Sequence, residues 1–180
     1  MIAIMYDGYR PLEGAARTGG TDELLKNPFS KIGASMPMID VYAAADLFPA
    51  ESDRELGENL INAVLRAEGV ALPGPFHLNN TAAYIHRMLP SQVQTGSAAS
   101  ARTVRVQIVT PPAALNRDGQ RQLVKEITEI VTRISGDPTQ AARTWVLLTE
   151  AAEGGWGIAG TAFGREEFIA LANKAKGQQS

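Results

Sequence analysis

One pattern of apolar residues occurs twice in the 180-residue chain, and this repeat restricts the fold more than any other feature. A β-prone run at 38–42 precedes a helical pattern that begins at Ser52 and ends near Gly69. Pro73-Gly74-Pro75 then predicts a loop, and a second β-prone run follows at 81–88. A shift of about 67 positions superimposes three apolar helix positions on later ones. These are Leu56 on Leu123, Leu60 on Ile127 and Val64 on Val131.

The second copy of the pattern has the same order of elements. A β-prone run at 103–110 is followed by a helix, for which Asn116 is the predicted N-cap and Gly136-Asp137-Pro138 the end, and by a strand at 144–148. The fold predicted is therefore α/β (α+β), with tandem β-α-β repeats that form a four-stranded sheet with two helices on one face.

The chain changes character at Met36-Pro37. Residues 1–35 are rich in glycine and polar residues and show little periodicity, so they are predicted to be an N-terminal extension that either is disordered or follows a misassigned translation start. Residues 36–180 form the predicted domain, with repeats at 36–100 and 101–180.

The sheet face opposite the helices is expected to need a cover. Val104, Val106, Trp145 and Leu147 are too apolar to leave a whole sheet face in water. The sequence therefore predicts that the protein is an oligomer.

Composition excludes several functional classes. The chain has no cysteine and two histidines, which argues against disulfides, zinc-thiolate sites and histidine-rich metal sites. A formal net charge of −2 does not indicate a nucleic-acid partner. The sequence shows neither an apolar run of about 20 residues, which a membrane span needs, nor a targeting signal, so a cytoplasmic location is predicted. No phosphate-binding glycine loop or nucleophile elbow is present.

The end of the second repeat carries a more specific pattern. Thr149-Glu150 closes a strand that leads to Gly155-Trp156-Gly157-Ile158-Ala159-Gly160. This resembles 4-oxalocrotonate tautomerase and its relatives in the tautomerase superfamily, in which a strand ending in Thr-Glu leads to an aromatic residue and a Gly-Ile-Gly-Gly hairpin. Ala159 replaces one of those glycines.

Two further stretches are similar to the longer, fused members of the superfamily, typified by malonate semialdehyde decarboxylase. They are His86-Arg87 and Phe163-Gly164-Arg165-Glu166-Glu167-Phe168, although the latter also fits an ordinary helix start. The resemblance implies one catalytic proline per chain. It also implies a homotrimer in which each fused chain replaces two subunits of the short members of the superfamily.

The resemblance assigns catalysis to Pro37. The family's catalyst is an amino-terminal proline, and Met36-Pro37-Met38 precedes the first strand as that role requires. An apolar pocket disfavours the charged amine and lowers its pKa, which leaves a free base. An internal proline has an amide nitrogen and no basic lone pair, so the alternative is a structural proline at the start of a strand.

The residues that would bind the substrate are the next question for the sequence. The arginine positions of the family correspond here to Ala82, to about Trp145 and to the stretch Pro111–Ala114. Arg87 and Arg105 are the remaining candidates to bind a substrate carboxylate, unless they are exposed strand-edge arginines. Trp156 of a neighbouring unit is the predicted apolar wall of the pocket. His86 and Tyr84 are predicted to contact a carbonyl, or else to be a structural histidine and a packed tyrosine.

The sequence thus predicts a cofactor-independent tautomerase that uses Pro37 as general base on a small enol or keto acid. One alternative is a lyase or hydratase similar to malonate semialdehyde decarboxylase, in which a cationic proline acts as an acid. Another is a catalytically silent oligomeric module, if Pro37 stays internal.

Overall fold

A computed structural model describes residues 36–177, and the predicted extension at 1–35 lies outside this range. Four strands form one sheet: β1, Met38–Ala44; β2, Ala82–Met88; β3, Val104–Thr110; and β4, Thr144–Glu150. Their order is β2-β1-β3-β4, with β1 parallel to β2, β3 parallel to β4, and β1 antiparallel to β3. The predicted sheet of two β-α-β units is confirmed.

Three helices accompany these strands. The long ones are α1, Asp53–Ala67, and α3, Arg117–Ser135, and the short α2, Pro75–Asn80, lies between α1 and β2. The apolar stripes of α1 and α3 pack on one face of the sheet, which confirms the predicted layering. The helix α2 was not expected, because Pro73-Gly74-Pro75 was interpreted as a loop; a proline is nevertheless favourable in the first turn of a helix.

Both predicted ends of α3 are confirmed. The side chain of Asn116 accepts a hydrogen bond from the backbone N–H of Gly119 at 2.8 Å, as an N-cap does. At the other end Gly136 has φ of 68°, a left-handed conformation that glycine adopts without steric cost.

The C-terminal part of the described chain is a small hairpin followed by a helix. The hairpin consists of β5, Trp156–Ile158, and β6, Thr161–Phe163, and α4, Arg165–Gly177, follows it. Ala159 and Gly160 make the turn with φ of 50° and 78°. A residue with a Cβ is unusual at such a φ, so Ala159 is conformationally strained where the family has a glycine.

Alternation along the strands divides the side chains between two faces. Ile39, Val41 and Ala43 point to the helices and are buried, and Val104 and Val106 lie on the same face. The two valines are therefore not part of the open face, contrary to expectation. We call the face without helices the open face; its exposed apolar and aromatic side chains are Tyr84, Trp145 and Leu147.

No helix among residues 36–177 is both long and apolar enough to cross a membrane.

A buried carboxylate lies just after α1. Glu68 is 4% exposed, and neither of its carboxylate oxygens has a hydrogen-bond partner in the part of the chain that the structure describes. Burial disfavours the ionised form and raises the pKa of Glu68 from its ordinary value of 4.5 to about 8. Glu68 is therefore protonated in the folded protein at neutral pH.

Glu68 makes folding stability depend on pH. Between pH 4.5 and about 8 the unfolded chain loses the Glu68 proton while the folded chain keeps it. The free energy of unfolding should therefore fall, by up to about 1.4 kcal/mol per pH unit in this interval. Chemical denaturation at several pH values should show that Glu68→Gln removes this slope. Glu51→Gln, at an exposed position, is the control and should keep it. A slope unchanged in Glu68→Gln would contradict the assignment.

Candidate active site

A cavity of about 550 Å³ lies at the beginning of β1. Pro37 is buried and sits between Met36 and Met38, both of which line the cavity. The other lining residues come from α2, β2, β3 and the hairpin, and they are Asn79, Asn80, Ala82, Tyr84, Val109, Gly155, Trp156, Gly157 and Ile158.

The hairpin supplies one wall of this cavity. Trp156 is 7% exposed and packs in an apolar cluster with Met36 and with Phe168 of α4. The ring of Phe168 in turn contacts that of Phe163 at a centroid distance of 5.5 Å. The hairpin and α4 thus hold Trp156 beside the beginning of β1 in the same chain, whereas the sequence interpretation took Trp156 from a neighbouring unit.

The polar part of the lining comes from α2 and β2. Tyr84 projects from β2 on the open face and is half exposed. The Asn80 side chain donates from Nδ2 to the carbonyl oxygen of Phe76 at 2.7 Å, which fixes its orientation. Asn79 lies one residue before it. The sequence does not indicate either asparagine as a site residue, because Pro73-Gly74-Pro75 predicts a loop where the structure has α2.

Arg87 lies at the opposite end of the sheet from the cavity. It pairs with Ala43 of β1 and lies on the helix-facing side of β2. Its guanidinium binds the Asp53 carboxylate, with Nε 2.9 Å from Oδ1. It also donates to the backbone carbonyls of residues 45, 48 and 49, at 2.7 to 3.0 Å. The structure therefore does not bring Arg87 to Pro37. The hydrogen bonds of the Arg87 guanidinium hold the β1–α1 connection against β2.

Arg105 and His86 lie on the open face, in one row with Tyr42. The Arg105 Cζ is 4.8 Å from the centroid of the Tyr42 ring, and the His86 ring stacks on Tyr42 with a centroid distance of 4.4 Å. His86 Nε2 is 2.6 Å from Oδ1 of Asp40. Tyr42 is four residues beyond Met38 along β1, or about 13 Å at the usual rise of a strand. Neither Arg105 nor His86 lines the cavity of its own chain.

The cavity is uncharged on its described lining. Most of the lining side chains are apolar, and three carry neutral polar groups. The apolar ones are Met36, Met38, Ala82, Val109, Trp156 and Ile158, and the polar ones are Asn79, Asn80 and Tyr84. Among residues 36–177, no group of three or more His, Asp or Glu side chains is placed to hold a metal ion. Of the predicted site residues, Tyr84 and Trp156 line the cavity, and Pro37 lies between two residues that line it.

Comparisons with known proteins agree with the fold. The model of the Tautomerase family, described as tautomerase enzyme, matches residues 106–166, which run from β3 to the beginning of α4 and include the hairpin. A solved structure described as a wild-type fused 4-OT symmetric trimer is 16% identical over 69% of this chain and 93% of its own, with a TM-score of 0.57. Residues 106–166 thus match the Tautomerase family, and the fold of the described chain is similar to that of fused 4-OT.

Two other solved structures are similar in fold. One is N1, a member of the cis-3-chloroacrylic acid dehalogenase family, with 15% identity, 79% of this chain and 96% of that chain covered, and a TM-score of 0.57. The other is a macrophage migration inhibitory factor-like protein from Entamoeba histolytica, with 14% identity, coverage of 72% and 99%, and a TM-score of 0.54. No curated protein sequence matches the chain.

Proposed function

We propose that a form of this chain beginning at Pro37 is a cofactor-independent tautomerase acting on a small enol or keto compound. The observation that carries the proposal is the cavity at Pro37, with the hairpin residue Trp156 as its apolar wall. A cavity of this size accommodates a small organic ligand.

The proposed chemistry is a proton transfer. The Pro37 secondary amine takes the proton from the hydroxyl of an enol, and the resulting ammonium returns it to the adjacent carbon, so that the C=C bond is replaced by C=O. Met38 and Trp156 surround the reacting centre with apolar atoms, which disfavours the ammonium and lowers the pKa of the amine. Tyr84 lines the cavity, and we propose that its hydroxyl donates a hydrogen bond to the substrate oxygen.

Met36 determines whether this chemistry is available. When Met36 is attached, the nitrogen of Pro37 is an amide nitrogen with no basic lone pair. The Met36 side chain is 1% exposed and forms part of the cavity wall. Its removal would enlarge the cavity and place the free amine at its edge. A chain that retains Met36 would be the silent module instead.

We also propose that the protein is a homotrimer. The open face carries Tyr84, Trp145 and Leu147, whose side chains are 53%, 52% and 44% exposed. Such a face is stabilised when other copies cover it. The trimeric fused 4-OT of similar fold supports three as the number of copies. Arg105 remains a predicted carboxylate anchor only for a site that a second copy completes.

Light scattering should give the mass of three chains. The double variant Trp145→Glu, Leu147→Glu should shift the protein toward monomers, because charged side chains oppose the burial of the open face between copies. Leu72→Glu is the control, since Leu72 is 91% exposed and lies outside the sheet. A wild-type monomer over a broad concentration range would contradict the trimer.

Enzyme assays should separate the two forms of the chain. A protein that begins at Pro37 should ketonise phenylenolpyruvate or its methyl ester faster than the 180-residue form, whose proline nitrogen is acylated. Pro37→Ala in the shorter protein should lower kcat/KM by about 100-fold, within the usual contribution of a general base. Pro90→Ala, at an exposed position away from the cavity, should not change it. Equal activity of both forms, with residues 1–36 shown intact by mass, would exclude the mechanism.

A further inference from the structure

We propose that the cavity selects an uncharged carbonyl or enol compound rather than a carboxylate, and that Asn79 and Asn80 are residues that determine this specificity. This inference rests on the proposed function, because it concerns the substrate of the same site.

The first argument is the charge of the lining. Six apolar side chains and two glycines surround Asn79, Asn80 and Tyr84, and no lysine, arginine or histidine lines the cavity in the described part of the chain. A carboxylate that leaves water for such a surface loses its hydration and gains no opposite charge, which is costly. A ketone, aldehyde, ester or amide loses much less.

The second argument is the position of the nearest candidate cations. Arg87 is held by Asp53 and three backbone carbonyls at the far end of β2. Arg105 lies over the ring of Tyr42, about 13 Å along the sheet from Met38. Neither guanidinium can neutralise an anion in the cavity of its own chain.

The third argument is the chemistry of the polar groups that are present. The hydrogen bond from Asn80 Nδ2 to the carbonyl oxygen of Phe76 fixes the Asn80 carboxamide, whose own oxygen remains an acceptor. The Asn79 carboxamide provides two donors and an acceptor, and the Tyr84 hydroxyl provides one donor. These neutral groups match the oxygen of a carbonyl or the hydroxyl of an enol, while the apolar walls match an aryl or alkyl body.

The second repeat does not reproduce this arrangement. In the place of α2 it has a 3₁₀ helix, Pro138–Arg143, whose Arg143 donates to Asp137 at 2.6 Å. The amide pair is therefore a feature of the first repeat, next to Pro37, and α2 is the element that brings it there.

Binding to the full 180-residue chain tests the inference without relying on catalysis. By calorimetry at neutral pH, cinnamamide should bind at least about 10-fold more tightly than cinnamate, because only the latter brings an unpaired charge. Asn79→Lys places a cation in the lining and should remove or reverse this preference. Leu78→Lys adds the same charge to α2 at an exposed position outside the lining, so the preference for the amide should persist.

Two results would overturn the proposal. One is wild-type protein that binds cinnamate as tightly as cinnamamide or more tightly; if Arg105→Ala then abolishes cinnamate binding, a second copy supplies the cation. The other is an equal effect of Asn79→Lys and Leu78→Lys. Turnover is a separate measurement on the chain beginning at Pro37, which should prefer the methyl ester of phenylenolpyruvate to the acid. Selective amide binding without turnover of either enol would refute the proposed tautomerase and leave the specificity intact.

Discussion

Burial of one face of the sheet under α1 and α3 is the constraint on which the rest of this structure depends. Alternate side chains of β1 and β3 are fully buried against the two helices. A shift of one residue in strand register would turn these apolar side chains to the other face, so the packing fixes the register. It consequently fixes three rows on the open face: Met38, Ala82 and Val109; Asp40, Tyr84 and Gln107; and Tyr42, His86 and Arg105.

These rows explain why the cavity is apolar and the charges are elsewhere. The row at the beginning of β1 contains Met38, Ala82 and Val109, all of which line the cavity. The charged and aromatic row with Arg105 lies at the other end of β1. The hairpin and α4 then close the apolar end through the packing of Trp156 on Met36 and Phe168. One end of the first repeat thus becomes a pocket.

Much of this architecture could be predicted from the sequence. The spacing of Leu56, Leu60 and Val64, and its repetition, predicted both long helices, because an amphipathic helix of a globular protein places apolar residues three and four apart. Strand alternation also determines the face on which Arg87 lies. Tyr84 and His86 share a face, so Arg87 had to lie on the opposite one, with Ala83 and Ile85. The contacts of Arg87 with the connection after β1 depend on tertiary packing, which no local pattern encodes.

The site was predictable only in part, for related reasons. The resemblance led to Pro37 and Trp156, and the structure places Trp156 beside the residues that flank Pro37. Asn79 and Asn80 were missed because a Pro-Gly-Pro sequence indicates a turn locally, while the helix that follows it is too short to show periodicity. The antiparallel register of β1 and β3, which pairs Arg105 with Tyr42 and not with the beginning of β1, is likewise a property of the whole sheet.

The central claim is that the beginning of β1 provides an apolar environment for the amine of Pro37. Nitrogen-15 NMR of the chain that begins at Pro37, with labelled proline, can follow the titration of that amine directly. The account predicts a pKa below that of the same amine in the chain unfolded by denaturant, because Met38 and Trp156 disfavour the ammonium. A pKa equal to or above the unfolded value would contradict it.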